Sequence, residues 1–295
     1  MLDETNNPHG CCDSSAEWHP GTISKIESDL VAGIQADEFV LNYQPIFDLS
    51  QDQLIGVEAL VRWKHPFRGW VFPNQFLKIA ELSGVTLPLG QRITRLACQQ
   101  LSQWQNQFLI PSFFRVHINL SAKQLLDPEF QIMMGKELES EGLHPNQFCL
   151  EVSERSLHNE LNDTFQILTK LRNLGFHLMI DDFGLGQNSL NYLEDLPIEA
   201  LKIDRSLIEN LGINRCDSVI VRMVCDLAET LHFDTVAEGV ESEFQIEQLT
   251  KLNCNLMQGF YFSEPLDGLE VTQTLANSFP SHASQSIIDI LQSGI

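Results

Sequence analysis

Short apolar runs alternate along the chain with stretches in which apolar residues recur every three or four positions, the periods of buried strands and one-sided helices. Strand-like runs fall at residues 39–46, 54–63, 113–120, 147–152, 176–180, 200–203, 233–237 and 257–262. Helical periodicity predicts helices over residues 24–34, 73–83, 91–107, 122–141, 159–173, 217–231 and 243–252, with a short one from about 188. In 91–107, for example, Ile93, Leu96, Ala97, Leu101 and Trp104 share one face. Residues 47–53 are too few for the crossover that parallel neighbours require, so the first two strands are expected to pair antiparallel. Eight strands mostly alternating with helices place the chain in the α/β class. They favour a β/α barrel over an open doubly wound sheet, and no GxGxxG motif follows the first strand. One domain is expected over 26–280, preceded by a polar, aperiodic and mobile tail over 1–25 and followed by a C-terminal extension over 281–295.

The stretch around which the chain is organised is Asp181-Asp182-Phe183-Gly184, two carboxylates at the end of an apolar run. Burying an ionised carboxylate costs several kcal/mol unless a cation or hydrogen bonds compensate it, so a positive partner is expected there. A helix cap would also use one of these aspartates. The other strand ends decide between the two. Strand side chains alternate, and in a β/α barrel chemistry gathers at the strands' C-terminal ends. If the apolar positions face the helices, Asn119, Glu151, Asp181 and Lys202 face inward. Glu58 shares a face with Leu60 and Arg62, and Glu238 follows the strand at 233–237. Singly, each has a plainer use as cap, turn residue or ion-pair partner; at successive strand ends they point to one pocket. Carboxylates with an amide oxygen are hard ligands, suited to Mg²⁺ or Mn²⁺.

Charge narrows the ligand. The chain carries a formal charge of -22 over 295 residues, which disfavours a nucleic-acid polymer because such binding rests on basic side chains. A small anion shielded by metal ions remains compatible. With 43% hydrophobic and 20% charged residues and no run long enough to span a bilayer, the chain reads as a globular protein, expected in the cytoplasm. Its seven cysteines show no metal-finger spacing and are expected to be reduced.

Several motifs occur in an order that resembles the EAL family of cyclic di-GMP phosphodiesterases. They are Tyr43-Gln44-Pro45-Ile46, Glu58-Ala59-Leu60-Val61-Arg62-Trp63, Asn119-Leu120-Ser121, Glu151-Val152-Ser153-Glu154, Asp181-Asp182-Phe183-Gly184, Leu201-Lys202-Ile203-Asp204, Ala237-Glu238-Gly239-Val240-Glu241 and Gln258-Gly259. The resemblance spans about residues 28 to 268. It implies a modified TIM (β/α)8 barrel with an antiparallel first strand, and hydrolysis of cyclic di-GMP to linear pGpG. It further implies two divalent cations, one held by Glu58, Asn119, Glu151 and Asp181 and the second by Asp181 and Asp182. Lys202, Glu238 and Gln258, with Glu58, would serve catalysis. Gln44, Leu60, Arg62, Asn119 and Asp204 would contact substrate, Glu154 would brace the loop after Asp182, and a homodimer is expected. Leu185-Gly186-Gln187-Asn188-Ser189 departs from the family's usual Thr-Gly-Tyr-Ser-Ser, and Glu264 stands where Arg is frequent. These departures keep open a receptor that binds cyclic di-GMP without cleaving it.

Overall fold

The computed structural model describes residues 20–157, 161–185 and 190–279. The expected tail, apart from residues 20–25, the C-terminal extension, and residues 186–189 of the divergent loop lie outside them. The chain opens with helix α1 (Pro20–Gln35), followed by strands β1 (Phe39–Asp48), β2 (Gln53–His65) and β3 (Gly69–Val71). Helices α2 (Pro73–Ser83) and α3 (Thr86–Gln107) lead to β4 (Arg115–Leu120), α4 (Ala122–Leu126), α5 (Pro128–Ser140) and β5 (Phe148–Ser153). Then come α6 (Leu161–Leu174), β6 (His177–Phe183), β7 (Ala200–Ile203), α7 (Arg205–Glu209), α8 (Arg215–Leu231), β8 (Asp234–Ala237), α9 (Glu243–Thr250), β9 (Leu256–Met257) and α10 (Gly268–Ser278).

Eight strands close a barrel in the order β1, β9, β8, β7, β6, β5, β4, β2, with β2 pairing back onto β1. β1 runs antiparallel to both neighbours and the other contacts around the barrel are parallel, as the short connection between β1 and β2 requires. β3 lies outside the closed set, paired antiparallel to the end of β2.

Two apolar layers hold this arrangement. The larger lies between barrel and helices and includes Phe39, Trp63, Phe76 and Trp104, all wholly buried, with the Phe39 and Trp63 rings stacked at 5.3 Å. The smaller is Ile46, Cys149, Met179, Ala200 and Val236. Two positions along each of those strands, towards one end of the barrel, stand Gln44, Glu151, Asp181, Lys202 and Glu238. Because strand side chains repeat every two residues, this inner layer is the floor on which the polar ring rests.

Local chemistry moves several predicted boundaries. α1 begins at Pro20, four residues before the expected start at 24, and proline suits a first helical position. The helix expected over 122–141 is two helices: Pro128 offers no backbone N–H, and Asp127 caps α5 by accepting from the N–H groups of Glu129 and Phe130. The last strand ends at Met257 instead of 262, because the chain turns back along Val240. Val240 N–H donates to Gln258 O and Tyr261 N–H to Val240 O, so close that a Cβ on Gly259 would lie 2.2 Å from the Val240 backbone. None of the described helices is long and apolar enough to cross a membrane.

Candidate active site

The polar ring at the C-terminal mouth is assembled by strand register. Gln44 pairs with Glu58 across β1 and β2, Glu58 with His117 across β2 and β4, Asn119 with Glu151 across β4 and β5, and Ser153 with Asp181 across β5 and β6. Residues paired in this way project to the same side of a sheet. Glu58, Asn119, Glu151 and Asp181, separated in sequence by up to 123 positions, therefore converge.

Lys202 stands at the centre, 1% exposed. Its ammonium donates to Glu58 Oε2 at 2.7 Å and to Glu151 Oε2 at 2.9 Å, and lies 3.7 Å from Asp181 Oδ1. Burial alone would lower its pKa; Asp181, Glu151, Glu58 and Glu238 outweigh burial and raise it well above the ordinary lysine value. Glu151 shows the reciprocal effect. Burial opposes its ionisation, yet Lys202 and His117 hold its pKa down at about 2.

Asp181 and Glu238 fare differently. Burial, with the neighbouring carboxylates, pushes Asp181 up to about 8 and Glu238 up to about 7 against the partial relief from Lys202. Asp182 is also raised, first by burial and then by a side-chain hydrogen bond with Asp204. Asp182 adopts a left-handed backbone, φ 55°, unusual outside glycine. This conformation ends the strand with carboxylate oxygens of Asp181, Asp182 and Glu238 all within 4.8 Å of one another.

The remaining candidates surround this centre. Asn119 Nδ2 donates to Glu58 Oε1 at 2.7 Å, and Gln258, wholly buried, donates from Nε2 to Glu58 Oε2 at 2.7 Å and to Gln44 Oε1 at 2.9 Å. Gln44 in turn donates to Ser263 O at 3.1 Å. Glu154, 3% exposed, accepts from Gly184 N–H at 3.3 Å and so ties β5 to the turn after Asp182. Asp204 accepts from Ser206 N–H and Oγ, capping α7. Leu60 lines a cavity of about 410 Å³ that also reaches Asn119, Asp181 and Asp182. Arg62 lies farther up β2, with its guanidinium over the Phe72 ring and Nη1 donating to Val61 O.

Sequence reasoning missed His117. Its Nδ1 lies 2.7 Å from Glu151 Oε1, and it is 5% exposed. The alternation that turns Asn119 inward also turns His117 inward, one layer deeper, so the signal was present.

Hard cations fit this donor set. Asp181 Oδ1 and Gln258 Oε1 are buried without a hydrogen-bond partner, which is costly for polar oxygens. An oxygen-rich cluster with such an orphan, and with carboxylates that burial disfavours as anions, is the environment a divalent ion relieves.

A β/α barrel carrying an acidic ring around a buried lysine defines a class, and sequence comparison gives it a family. The EAL domain profile matches residues 27–265, so the chain belongs to the EAL domain family. It is 34% identical over 274 residues to the bifunctional diguanylate cyclase/cyclic di-GMP phosphodiesterase MucR of Pseudomonas aeruginosa, covering 93% of this chain and 40% of that one. It is 37% identical to the cyclic di-GMP phosphodiesterase NbdA of the same organism, covering 82% of this chain and 31% of that one. The chain thus spans well under half the length of these curated relatives. Among solved structures, the MucR phosphodiesterase in complex with c-di-GMP superposes with a TM-score of 0.80 at 36% identity, covering 84% of this chain and 99% of that one. The EAL domain of Mycobacterium smegmatis DcpA superposes with a TM-score of 0.67 at 33% identity, covering 81% and 96%.

Proposed function

We propose that this chain is a divalent-metal-dependent phosphodiesterase that opens cyclic di-GMP to linear pGpG. The observation that carries the proposal is the buried Asp181 Oδ1, without a hydrogen-bond partner among converging carboxylates, with Lys202 3.7 Å away. The kinship with MucR and NbdA supports the substrate class. Glu58, Asn119, Glu151 and Asp181 would hold one cation, Mg²⁺ or Mn²⁺, and Asp181 with Asp182 the second, with Glu238 alongside. Bound there, two cations supply an activated water and neutralise charge on the phosphoryl oxygens.

The chain's own residues do the rest. Lys202 presents a positive charge beside the carboxylates at the mouth and keeps Glu151 ionised. Glu238, raised to about 7, is matched to accept a proton near neutral pH. Gln258 holds the attacking side of the pocket through its contacts with Gln44 and Glu58. Arg62 suits a phosphate because its guanidinium donates two parallel hydrogen bonds. Gln44, Leu60, Asn119 and Asp204 complete the substrate wall, and the cavity beside Leu60 receives a base.

The same reading places the domain in the cytoplasm as a homodimer. The outward face of α8 shows Val219 and Met223 about half exposed, near-fully exposed Ile213 precedes the helix, and Phe244 on α9 packs against Gly212. Such an apolar face is suited to a second copy.

A receptor that binds without cleaving is the second reading. It is favoured by the sequence after Asp182, where Leu185-Gly186-Gln187-Asn188-Ser189 stands in place of the family's usual Thr-Gly-Tyr-Ser-Ser. Conversion of cyclic di-GMP by the parent chain separates the two, and Glu58→Ala tests the site of the first. Hydrolysis is expected to vanish in this variant while the far-ultraviolet dichroism stays native; turnover at the parent rate would refute the proposed site.

A further inference from the structure

β2 runs past the barrel rim and carries one face of the mouth upward. Strand alternation puts Leu60, Arg62 and Lys64 on the same face as Glu58. Lys64 pairs with Trp70 across β2 and β3, so Trp70 joins that face, while Val71 buries the opposite one. Phe72 comes two positions after Trp70. Its ring lies 5.5 Å from the Arg62 guanidinium carbon, which fixes Arg62 and Phe72 on one side of the ribbon.

Phe72 is firmly held. Its N–H donates to Gln75 Oε1 at 3.0 Å, and Pro73 restricts the backbone that follows. Trp70 is 41% exposed, whereas the other described tryptophans, Trp63 and Trp104, are wholly buried. Trp70 thus leaves an indole face open on the strip that also carries Arg62 and Phe72. The strip begins at the edge of the substrate cavity: Leu60, two positions before Arg62 on the same face of β2, and Pro73, next to Phe72, line that cavity together with Asp181 and Asp182.

We propose that Phe72 and Trp70 form an aromatic platform for a purine base of the dinucleotide, with Phe72 also positioning Arg62, and that this strip sets base selectivity. The inference rests on the cyclic di-GMP reading and adds residues to it. Purines offer a larger π-face than pyrimidines, and base stacking on an aromatic side chain tolerates truncation poorly. The Phe72 ring is in cation–π contact with Arg62 and so restricts where its guanidinium can reach.

The test is steady-state hydrolysis of cyclic di-GMP and of cyclic di-UMP by the parent chain and by Trp70→Ala, Phe72→Leu and Phe72→Tyr. Trp70→Ala and Phe72→Leu are each expected to raise KM for cyclic di-GMP roughly tenfold, the scale of one lost base stack, with kcat changed less than about twofold. Phe72→Tyr is expected to restore the parent KM, and KM for cyclic di-UMP is expected to move little. Trp70 is exposed, so Trp70→Ala remains informative if Phe72→Leu proves unstable. An unchanged KM in Trp70→Ala and Phe72→Leu alongside normal parent turnover overturns the platform and leaves the phosphodiesterase reading intact. A shift in oligomeric state with unchanged KM overturns it in favour of a protein contact. A parent chain that neither binds nor opens cyclic di-GMP with any divalent ion overturns both.

Discussion

Lys202 and Glu58, 144 positions apart in sequence, meet at 2.7 Å through Nζ and Oε2 in the centre of the barrel. The contact joins β7 to β2 across the barrel mouth and places a permanent cation where carboxylates would otherwise repel. Removing the cation leaves Glu58 and Glu151 buried without it, and breaking a buried pair from one side costs about 3–5 kcal/mol. Lys202→Met is therefore expected to lower the free energy of unfolding by about that amount in urea titrations at neutral pH. Hydrolysis is expected to be lost as well. An unfolding midpoint equal to the parent's would show that Glu58 and Glu151 do not depend on Lys202.

His117 secures the other oxygen of Glu151. His117→Phe keeps ring volume and removes the nitrogen, leaving a buried carboxylate oxygen without its partner. The expected cost is about 1–3 kcal/mol of stability in the same titration. A second effect is expected on divalent-ion affinity, because Glu151 then loses one of the contacts that hold its orientation. Parent-like affinity and stability together would remove His117 from the account.

With Asp181 as a ligand, metal binding is expected to depend on pH. Its pKa is about 8 in the folded, metal-free protein, against 3.8 for an ordinary aspartate. Between those values the folded state holds a proton that the unfolded chain has released, so this group's contribution to metal-free stability falls as pH rises through the interval. A divalent ion must displace that proton. Mn²⁺ affinity, measured by calorimetry in buffers of different ionisation enthalpy, is therefore expected to rise with pH and level off above about 8, with proton release at neutral pH. Affinity independent of pH across that range would contradict the assignment of Asp181 as a ligand. Glu151, held near 2, stays ionised throughout and adds no such dependence.

Glu154 tests the turn that carries Asp182. It accepts from Gly184 N–H, and a Cβ on Gly184 would lie 2.9 Å from Leu207 Cδ1, so the turn is hemmed in on both sides. Glu154→Gln keeps the size of the side chain but loses a charge-assisted acceptor. The metal concentration needed for half-maximal hydrolysis is expected to rise several-fold while saturated kcat changes little. A fall in saturated kcat with no change in metal requirement would point to a different role.

Much of this was legible in the sequence because barrel strands obey a two-residue period. The apolar floor residue and the polar ring residue alternate as Cys149 with Glu151, Met179 with Asp181, and Val236 with Glu238. Inward positions could be read from the apolar residues facing the helices, such as Leu150 and Val152 on either side of Glu151. The short link after β1 also announced the antiparallel pair. Less legible were features set by side-chain reach. Nothing in the sequence placed Lys202 between Glu58 and Glu151, or linked Gln258 to Gln44, since β7, β9 and β1 meet only when the barrel closes. Pro128 was a missed local signal; helical periodicity continued across it and hid the break. The short β9 was misread because Tyr261 and Phe262 suit a strand, although the Gly259 turn against Val240 ends it.

The central claim is that the acidic ring around Lys202 opens a cyclic dinucleotide with the help of divalent ions. Its most direct test is incubation of the purified chain with cyclic di-GMP and Mg²⁺ or Mn²⁺, followed by chromatographic separation of nucleotides. The account predicts linear pGpG as the product, formed only with added metal and stopped by chelation. Cyclic di-GMP that is bound but returned intact under every metal would contradict it.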